Sequence, residues 1–189
     1  MTELEIYIQS YFSVPIDDLA KISAFFKPIH LKKGDYFLKT GRQSDRLGFV
    51  QSGIIREYLY VEDKEVTKWI STKGYFVVDL SSFVFNQPAR WNIQALTDST
   101  LWVIDSKDYQ QIGEVIPGWA ALEKLFIAKC FTVLEDRIFS HLCMTAEERY
   151  TQLFQFNPDL FNQVPLQYLA SMLGMTPETL SRLRNKASR

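Results

Sequence analysis

The spacing of apolar residues divides the chain into a helical start, a β-rich middle and a helical end. Over residues 1–26, apolar and aromatic side chains recur every three or four positions, which predicts one helix from Glu3 and a second short helix after Pro15. From Leu31 to Ile104 the pattern changes to short aromatic and β-branched runs, separated by turn residues at intervals of roughly ten positions. This pattern is typical of an all-β sandwich or barrel.

Two hairpins are predicted inside the β-rich middle, because polar turn residues separate two pairs of strand-like runs. The pairs are Ile55–Tyr60 with Val66–Ser71, around the turn Glu62-Asp63-Lys64, and Asn92–Leu96 with Thr100–Ile104, around Thr97-Asp98-Ser99. In each pair we expect the two strands to be hydrogen-bonded neighbours.

The segment from Pro117 to Leu142 is predicted to form one long helix, since neither Gly nor Pro interrupts it after its first residues. Its apolar residues approximate a helical spacing: Leu122, Leu125, Phe126, Phe131, Leu134, Ile138 and Leu142. One side of this helix is therefore expected to be covered by other parts of the protein. Thr145 and Glu148 are spaced as a capping box, which predicts the start of a further helix and a domain boundary near Met144.

The end of the chain, from Val164, predicts two helices joined by a tight turn. Gly174 follows the first of these helices, where a helix ends easily because glycine accepts a left-handed conformation. Thr176 suits the N-cap of the second helix and Pro177 its first turn. The apolar residues that would hold the two helices together are Leu166, Leu169, Ala170, Leu173, Leu180 and Leu183. This arrangement predicts a helix-turn-helix, a motif that places its second helix in the major groove of DNA.

The outward face of that second helix carries side chains that can read DNA bases. Glu178, Ser181 and Arg182 are spaced three and four positions apart, so they share one face. Arg182 can donate two hydrogen bonds to guanine, Glu178 can accept one from cytosine, and Ser181 can serve several bases. The alternative interpretation is an ordinary surface ion pair between Glu178 and Arg182 on a small helical domain.

Charge is distributed unevenly along the chain. The net charge is -1, yet the segment from Val164 to Arg189 holds four basic residues against the single acid Glu178. A local basic end on a neutral chain suits a protein that touches a few phosphates and then reads bases. The candidate contacts to the DNA backbone are Thr176, Thr179, Arg184, Lys186 and Arg189. For the last three residues, a solvated tail is an equal alternative.

Two segments resemble one known family. The run Thr-Pro-Glu-Thr-Leu-Ser-Arg at residues 176–182 resembles the recognition helix of the Crp/Fnr family of bacterial transcription regulators, in which a Glu-x-x-Ser-Arg pattern contacts the bases. The middle of the chain resembles the cyclic-nucleotide-binding jelly roll of the same family. That likeness rests on Leu31-Lys32-Lys33-Gly34-Asp35, Gly41, Val50-Gln51-Ser52-Gly53-Ile54-Ile55-Arg56, Leu96-Thr97-Asp98-Ser99-Thr100-Leu101 and Ile104-Asp105.

The resemblance implies an α+β fold with three parts. These are an N-terminal cyclic-nucleotide-binding-like β jelly roll with flanking helices (1–116), a dimerisation helix (117–143) and a small helix-turn-helix DNA-binding domain (144–189). The residues after Arg184 are too few for the β-wing of many members, so wing contacts to phosphates are not expected. Pairing of the long helix with a second copy is favoured, with Lys129, Glu135 and Arg137 as flanking salt-bridge candidates. Packing of the same helix on the β domain stays open as the alternative.

The effector pocket departs from the family pattern. In cAMP-binding members a Phe-x-Gly-Glu-Leu segment precedes an Arg-Ser pair; here Val78 stands in place of the Gly, Asp79 in place of the Glu, and Trp91 follows Arg90. A buried phosphate that lacks hydrogen bonds is costly, so we predict that cAMP is not the effector. The candidate pocket residues are Phe76, Val78, Asp79, Arg90 and Trp91. An apolar ligand and a filled core without a ligand both stay open.

Composition excludes several other functions. Two cysteines cannot form a four-cysteine iron–sulfur cluster, and His30 and His141 have no ligand-spaced partner, so we expect no metal, cofactor or enzymatic activity. No apolar run approaches the ~20 residues that span a bilayer, which favours a cytoplasmic protein. The predicted function is a homodimeric transcription regulator of double-stranded DNA, with RNA polymerase as a further candidate partner and the effector unknown. A sensor or scaffold without DNA binding is the alternative.

Overall fold

The computed structural model describes residues 1–187. The helices are α1 (Glu3–Phe12), α2 (Ile16–Ser23), α3 (Leu80–Phe85), α4 (Ser106–Val115), α5 (Trp119–Cys143), α6 (Ala146–Phe156), α7 (Leu160–Gln163), α8 (Leu166–Met172) and α9 (Pro177–Ala187). The strands are β1 (Lys27–Leu31), β2 (Tyr36–Leu38), β3 (Arg46–Ser52), β4 (Ile55–Val61), β5 (Lys64–Ser71), β6 (Phe76–Val77), β7 (Asn92–Ala95) and β8 (Ser99–Asp105). The predicted order of helices, β-rich middle and helices is confirmed.

The strands form two four-stranded sheets. One has the order β1-β8-β3-β6 and the other the order β2-β7-β4-β5. The pairs β1–β8, β3–β8, β3–β6 and β2–β7 are antiparallel. An apolar core between the sheets takes residues from both of them, including Phe37, Ile55 and Ile93 from one and Val50 and Leu101 from the other. The α+β fold class predicted from the sequence is therefore confirmed.

Strands β3 and β8 are buried on both faces, because an apolar core lies on each side of their sheet. Successive side chains of a strand point to opposite sides, so they enter the two cores in turn. Val50 and Leu101 face the core between the sheets, whereas Phe49 and Ile104 pack into a second core with the helices. That second core includes Leu4, Ile8 and Phe12 of α1, Leu19 and Ile22 of α2, and Ile112 of α4. Double-sided burial explains why the sequence of these strands is largely apolar instead of strictly alternating.

The second predicted hairpin is wrong. Strands β7 and β8 do follow one another around Thr97-Asp98-Ser99, but they lie in different sheets. The chain crosses between the sheets there: the Leu96 amide donates to the Ile54 carbonyl at 2.8 Å, and the Ile54 amide donates to Thr97 Oγ1 at 3.0 Å. A polar turn between two strand-like runs indicates a reversal of the chain, but it does not specify which strand each run will pair with.

Three short helices were not predicted. They are α3, α4 and α7, and the first two begin after aspartates whose carboxylates accept from backbone amides in the first turn: Asp79 from Ser82 and Asp105 from Asp108. An Asp N-cap is a recognisable helix signal. Here the signal is obscured, because both segments follow directly on strand-like residues, and α3 has only 6 residues in which to display a helical period.

The chain divides into two compact units. Unit 1 comprises residues 1–57 and 70–130, and unit 2 comprises residues 58–69 and 131–189, of which the structure describes those up to 187. Helix α5 therefore contributes to both units, and so does the β4–β5 hairpin, of which residues 58–69 belong to unit 2. The domain limits 1–116, 117–143 and 144–189 stay predictions. Within the described residues, no helix combines the length and apolar character required to cross a membrane.

Substitution of Gly53, in the tight turn before β4, tests whether this position requires glycine. Its φ is +91°, and a Cβ there would overlap Ser99, with Ser99 Cα at 2.7 Å. We expect Gly53→Ala to lower the free energy of unfolding by about 1–2 kcal/mol for the left-handed backbone and by about 1–3 kcal/mol more for the overlap. Urea denaturation measures the sum.

Gly34→Ala is the matched control for this substitution. Gly34 has a φ of +93°, but beyond its chain neighbours no atom lies within 4 Å of the position that a Cβ would take. Only the backbone cost is therefore expected, about 1–2 kcal/mol. Equal losses for the two variants would contradict the role given to the approach of Ser99.

Candidate nucleic-acid interface

The turn between α8 and α9 has the features predicted for a helix-turn-helix. Gly174 has a φ of +65°, the left-handed conformation expected after α8. The Met175 amide donates to the Ala170 carbonyl at 3.0 Å, which closes the end of the helix. Apolar residues beneath the turn are buried, namely Leu169, Ala170, Leu173 and Leu180. The sequence and the backbone therefore agree at each step of this motif.

Helix α9 begins where its capping residues predict. The Thr179 amide donates to Thr176 Oγ1 at 3.3 Å, which satisfies one of the amides that a helix leaves free at its start. Pro177 occupies the first helical position, where its missing N–H costs nothing. Leu180 is fully buried, so the face of α9 that carries it points into the protein and the opposite face points outward.

Glu178, Ser181 and Arg182 are all exposed and lie on one face of α9. They line a single open depression on the surface, whose full lining is Pro177, Glu178, Ser181, Arg182, Asn185 and Lys186. Hydrogen bonds from its own backbone amide and from the Thr176 hydroxyl lower the pKa of Glu178. Glu178 therefore presents an ionised carboxylate, which accepts hydrogen bonds, next to Arg182, which donates them. We call this exposed face the reading face.

The ion-pair alternative for the reading face does not match the structure. Among the described residues, the salt bridges do not include one between Glu178 and Arg182. Lys186 instead pairs with Glu147 of α6, with Nζ at 2.7 Å from Oε1. Of the remaining predicted backbone contacts, Thr176 is exposed, and Thr179 and Arg184 are half-buried. Arg189 lies outside the described residues.

Two arginines that the sequence pattern did not assign to this site hold the end of α8. Arg149 of α6 donates from Nε to the Leu173 carbonyl at 2.8 Å, from Nη1 to the Met144 carbonyl at 2.6 Å and from Nη2 to the Gly174 carbonyl at 3.4 Å. Arg137 of α5 donates from Nη2 to the Met172 carbonyl at 3.2 Å. The last carbonyls of a helix carry partial negative charge and need donors, and these guanidinium groups supply them.

Strand β5 of the β4–β5 hairpin contacts α8 and the arginine that binds it. The Thr67 amide donates to Ser171 Oγ at 2.9 Å, and the Trp69 ring lies 4.8 Å from the guanidinium carbon of Arg137. Arg137 lies between the Trp69 ring and the Met172 carbonyl of α8; a salt bridge from Arg137 at a dimer interface stays a prediction. No local sequence signal indicates these contacts, because the hairpin and α8 are about a hundred positions apart.

The candidate effector residues lie in different surroundings within unit 1. Asp79 is buried, and its carboxylate accepts from the amides of Ser82 at 3.0 Å, Arg90 at 2.7 Å and Trp91 at 3.2 Å. Phe76 and Val78 pack against the apolar core formed with the helices. Arg90 is exposed, with its guanidinium carbon 5.8 Å from the Trp91 ring. Asp79 thus ties a loop to the start of α3, a role that the sequence did not indicate.

Comparison with known proteins agrees with this architecture. Residues 28–114 match the family model of the cyclic nucleotide-binding domain. No curated protein matches the chain in sequence.

Solved structures share most of the chain's fold. FixK2 from Bradyrhizobium japonicum superposes with a TM-score of 0.71 at 17% identity, covering 85% of this chain and 83% of that one. The c-di-GMP-responsive global regulator CLP from Xanthomonas campestris gives 0.67 at 16%, covering 92% of each chain. A CooA variant from Carboxydothermus hydrogenoformans gives 0.63 at 22%, covering 88% and 78%. At these identities the likeness shows a shared fold.

Arg149→Lys tests the anchoring of α8. Lysine keeps the charge but cannot donate to three carbonyls in the planar arrangement of a guanidinium. We expect unit 2 to lose about 1–3 kcal/mol of stability. Hydrogen exchange followed by mass spectrometry should show faster exchange in peptides from Leu166–Leu180, with unit 1 unchanged. The control is Arg182→Lys, at an exposed position, which should leave the exchange as it is. Slow exchange in both variants would contradict the anchoring role.

Proposed function

We propose that this chain, which has the fold of Crp/Fnr regulators and a cyclic nucleotide-binding domain at residues 28–114, is a DNA-binding transcription regulator that acts as a homodimer. The observation that carries the proposal is the reading face. Glu178, Ser181 and Arg182 are exposed together on the second helix of a helix-turn-helix, where that motif contacts base edges. Thr176, Thr179, Arg184 and Lys186 are the proposed contacts to the DNA backbone.

The exposed apolar residues of α5 support the homodimer. The first half of the helix packs inside unit 1, where Leu122 and Phe126 contact the core formed with the helices. The second half does not bury its apolar side within the described chain: the exposed fractions are 60% for Phe131, 60% for Ile138 and 78% for Leu142. An apolar surface of this kind marks an interaction site. The first half of α5 therefore fits packing on the β domain, and the exposed second half supports pairing with a second copy.

A second copy is the partner that suits this surface. Phe131, Leu134, Ile138 and Leu142 are spaced three or four positions apart, so they form one stripe along the helix. Two such stripes can pack against each other as an isologous interface. A dimer would also present two reading faces to a site with two-fold symmetry, which matches how helix-turn-helix proteins bind DNA.

We also propose that cAMP is not the effector. The carboxylate of Asp79 is already engaged by three backbone amides, so it is not available to bind a ribose hydroxyl. Val78 stands where a phosphate would require close approach to the backbone, and it is packed against the apolar core. The effector is unknown, and a β domain that acts without a ligand is consistent with these contacts.

Selection from a randomised pool of duplex DNA tests the proposal, with and without cAMP at one fixed salt concentration. We expect a two-fold symmetric site to be enriched equally in both conditions. No enriched site would favour the alternative, a sensor or scaffold that does not bind DNA. Enrichment only with cAMP would overturn the proposal about Val78 and Asp79.

Arg182→Ala should weaken binding to the enriched site while leaving the fold intact. Loss of one bidentate contact to guanine is expected to cost about 1–3 kcal/mol, which is roughly a 5- to 150-fold rise in Kd. Fluorescence anisotropy with the enriched duplex measures the change. Arg42→Ala removes the same charge from an exposed loop of unit 1 and should leave Kd within about twofold. Equal effects of the two variants would mean that Arg182 contributes only charge.

Ile138→Glu should dissociate the dimer. A carboxylate in the apolar stripe of each copy would be buried without a partner in the interface, which is strongly unfavourable. Sedimentation velocity should show a monomer, and affinity for the symmetric site should fall with it. Phe85→Glu makes the same change at another exposed apolar residue, on α3, and should leave the dimer intact. A dimer that survives Ile138→Glu would place the interface elsewhere.

A further inference from the structure

The salt bridge between Lys186 and Glu147 lies at the margin of the reading face. Lys186 Nζ is 2.7 Å from Glu147 Oε1, and both side chains are largely exposed, at 68% and 55%. Lys186 also lines the surface depression with Glu178, Ser181 and Arg182. The carboxylate of Glu147, on α6, therefore lies beside the surface that is proposed to contact DNA phosphates.

The backbone of Glu147 is held more firmly than that of Lys186. It lies in the first turn of α6, which is capped by the reciprocal hydrogen bonds of Thr145 and Glu148. The Glu147 carbonyl also accepts from Thr151 Oγ1 at 2.9 Å. Lys186 instead lies in the last turn of α9 and has a long, flexible side chain. The Glu147 side chain takes no part in the capping box, so its charge is not needed for helix α6 to begin.

A phosphate at this margin would meet both groups of the pair. The Lys186 ammonium would have to give up its ion pair with Glu147 in order to bind the phosphate, so part of the attraction between lysine and phosphate would be offset by the loss of that pair. We infer that Glu147 competes with the DNA backbone for Lys186, and that this competition limits the affinity of the interface. The inference rests on the proposed function. In this view Glu147 limits the affinity of the same site for DNA. Lys186 can contact the DNA backbone only when it is released from Glu147.

Salt-dependent binding of four proteins to one duplex tests the inference: wild type, Glu147→Gln, Lys186→Gln and the double variant. Fluorescence anisotropy with the enriched site and with a scrambled duplex, from about 50 to 200 mM salt, gives Kd and the slope of log K against log salt. Asp159→Asn is the matched control, because it removes one exposed acid from unit 2 whose side chain makes no capping hydrogen bond. Thermal unfolding of each variant verifies that it is folded.

Glu147→Gln is expected to bind both duplexes about two- to fivefold more tightly than wild type, as the loss of an exposed ion pair implies. Its salt slope should steepen by about 0.9 for each additional phosphate that the protein neutralises. Lys186→Gln and the double variant should bind alike, since Glu147 has no lysine to compete for in either.

Two results would overturn the inference while leaving the proposed function in place. One is a Glu147→Gln variant that binds like Asp159→Asn. The other is an increase in affinity that persists in the Lys186→Gln background, because the carboxylate would then act on DNA only through its charge. Failure of the wild type to bind either duplex at the lowest salt would instead refute the proposed function itself.

Discussion

The proposed interface depends on how the C-terminal carbonyls of α8 are satisfied. The turn into α9 leaves the carbonyls of Met172, Leu173 and Gly174 without partners in their own helix, and arginines from α5 and α6 donate to all three. Charge-assisted hydrogen bonds of this kind are stronger than neutral ones and more demanding in geometry. They fix where α8 ends, and the end of α8 decides the direction in which α9 presents Glu178, Ser181 and Arg182.

The same contacts include strand β5 of the β4–β5 hairpin in unit 2. Arg137 lies between the α8 carbonyl and the Trp69 ring, while Thr67 binds Ser171 through its amide. The β4–β5 hairpin therefore belongs to both units: the start of β4 and the end of β5 lie in unit 1, and residues 58–69 lie in unit 2. An isolated helix-turn-helix would lack these contacts, which is why the stability of the recognition helix has to be measured in the whole chain.

In the β domain, an acidic residue at one position of the fold has a structural role in place of a ligand-binding one. Asp79 stands where the family pattern places a ligand-binding glutamate, and here its carboxylate closes a loop onto the start of α3. Around it, aromatic rings fill the space next to the helices: Phe76 lies within 5.3 Å of Phe49 and 5.7 Å of Phe126, measured between ring centroids. Packing of this density is a reason to expect a stable domain without a bound nucleotide.

Elements with local signals could be predicted from the amino-acid order alone. The helix-turn-helix follows from the apolar spacing around Leu169 and Leu180, from Gly174 and from the Thr176 cap, and the capping box at Thr145 marks the start of α6 where it was expected. The residues that these elements contact could be identified only from the tertiary structure. Folding placed β7 and β8 in different sheets, paired Lys186 with Glu147, and brought Arg149 and strand β5 to α8. The physical reason is that caps and helical periods involve residues within a few positions, whereas strand pairing and side-chain contacts join residues far apart, whose encounter no local pattern specifies.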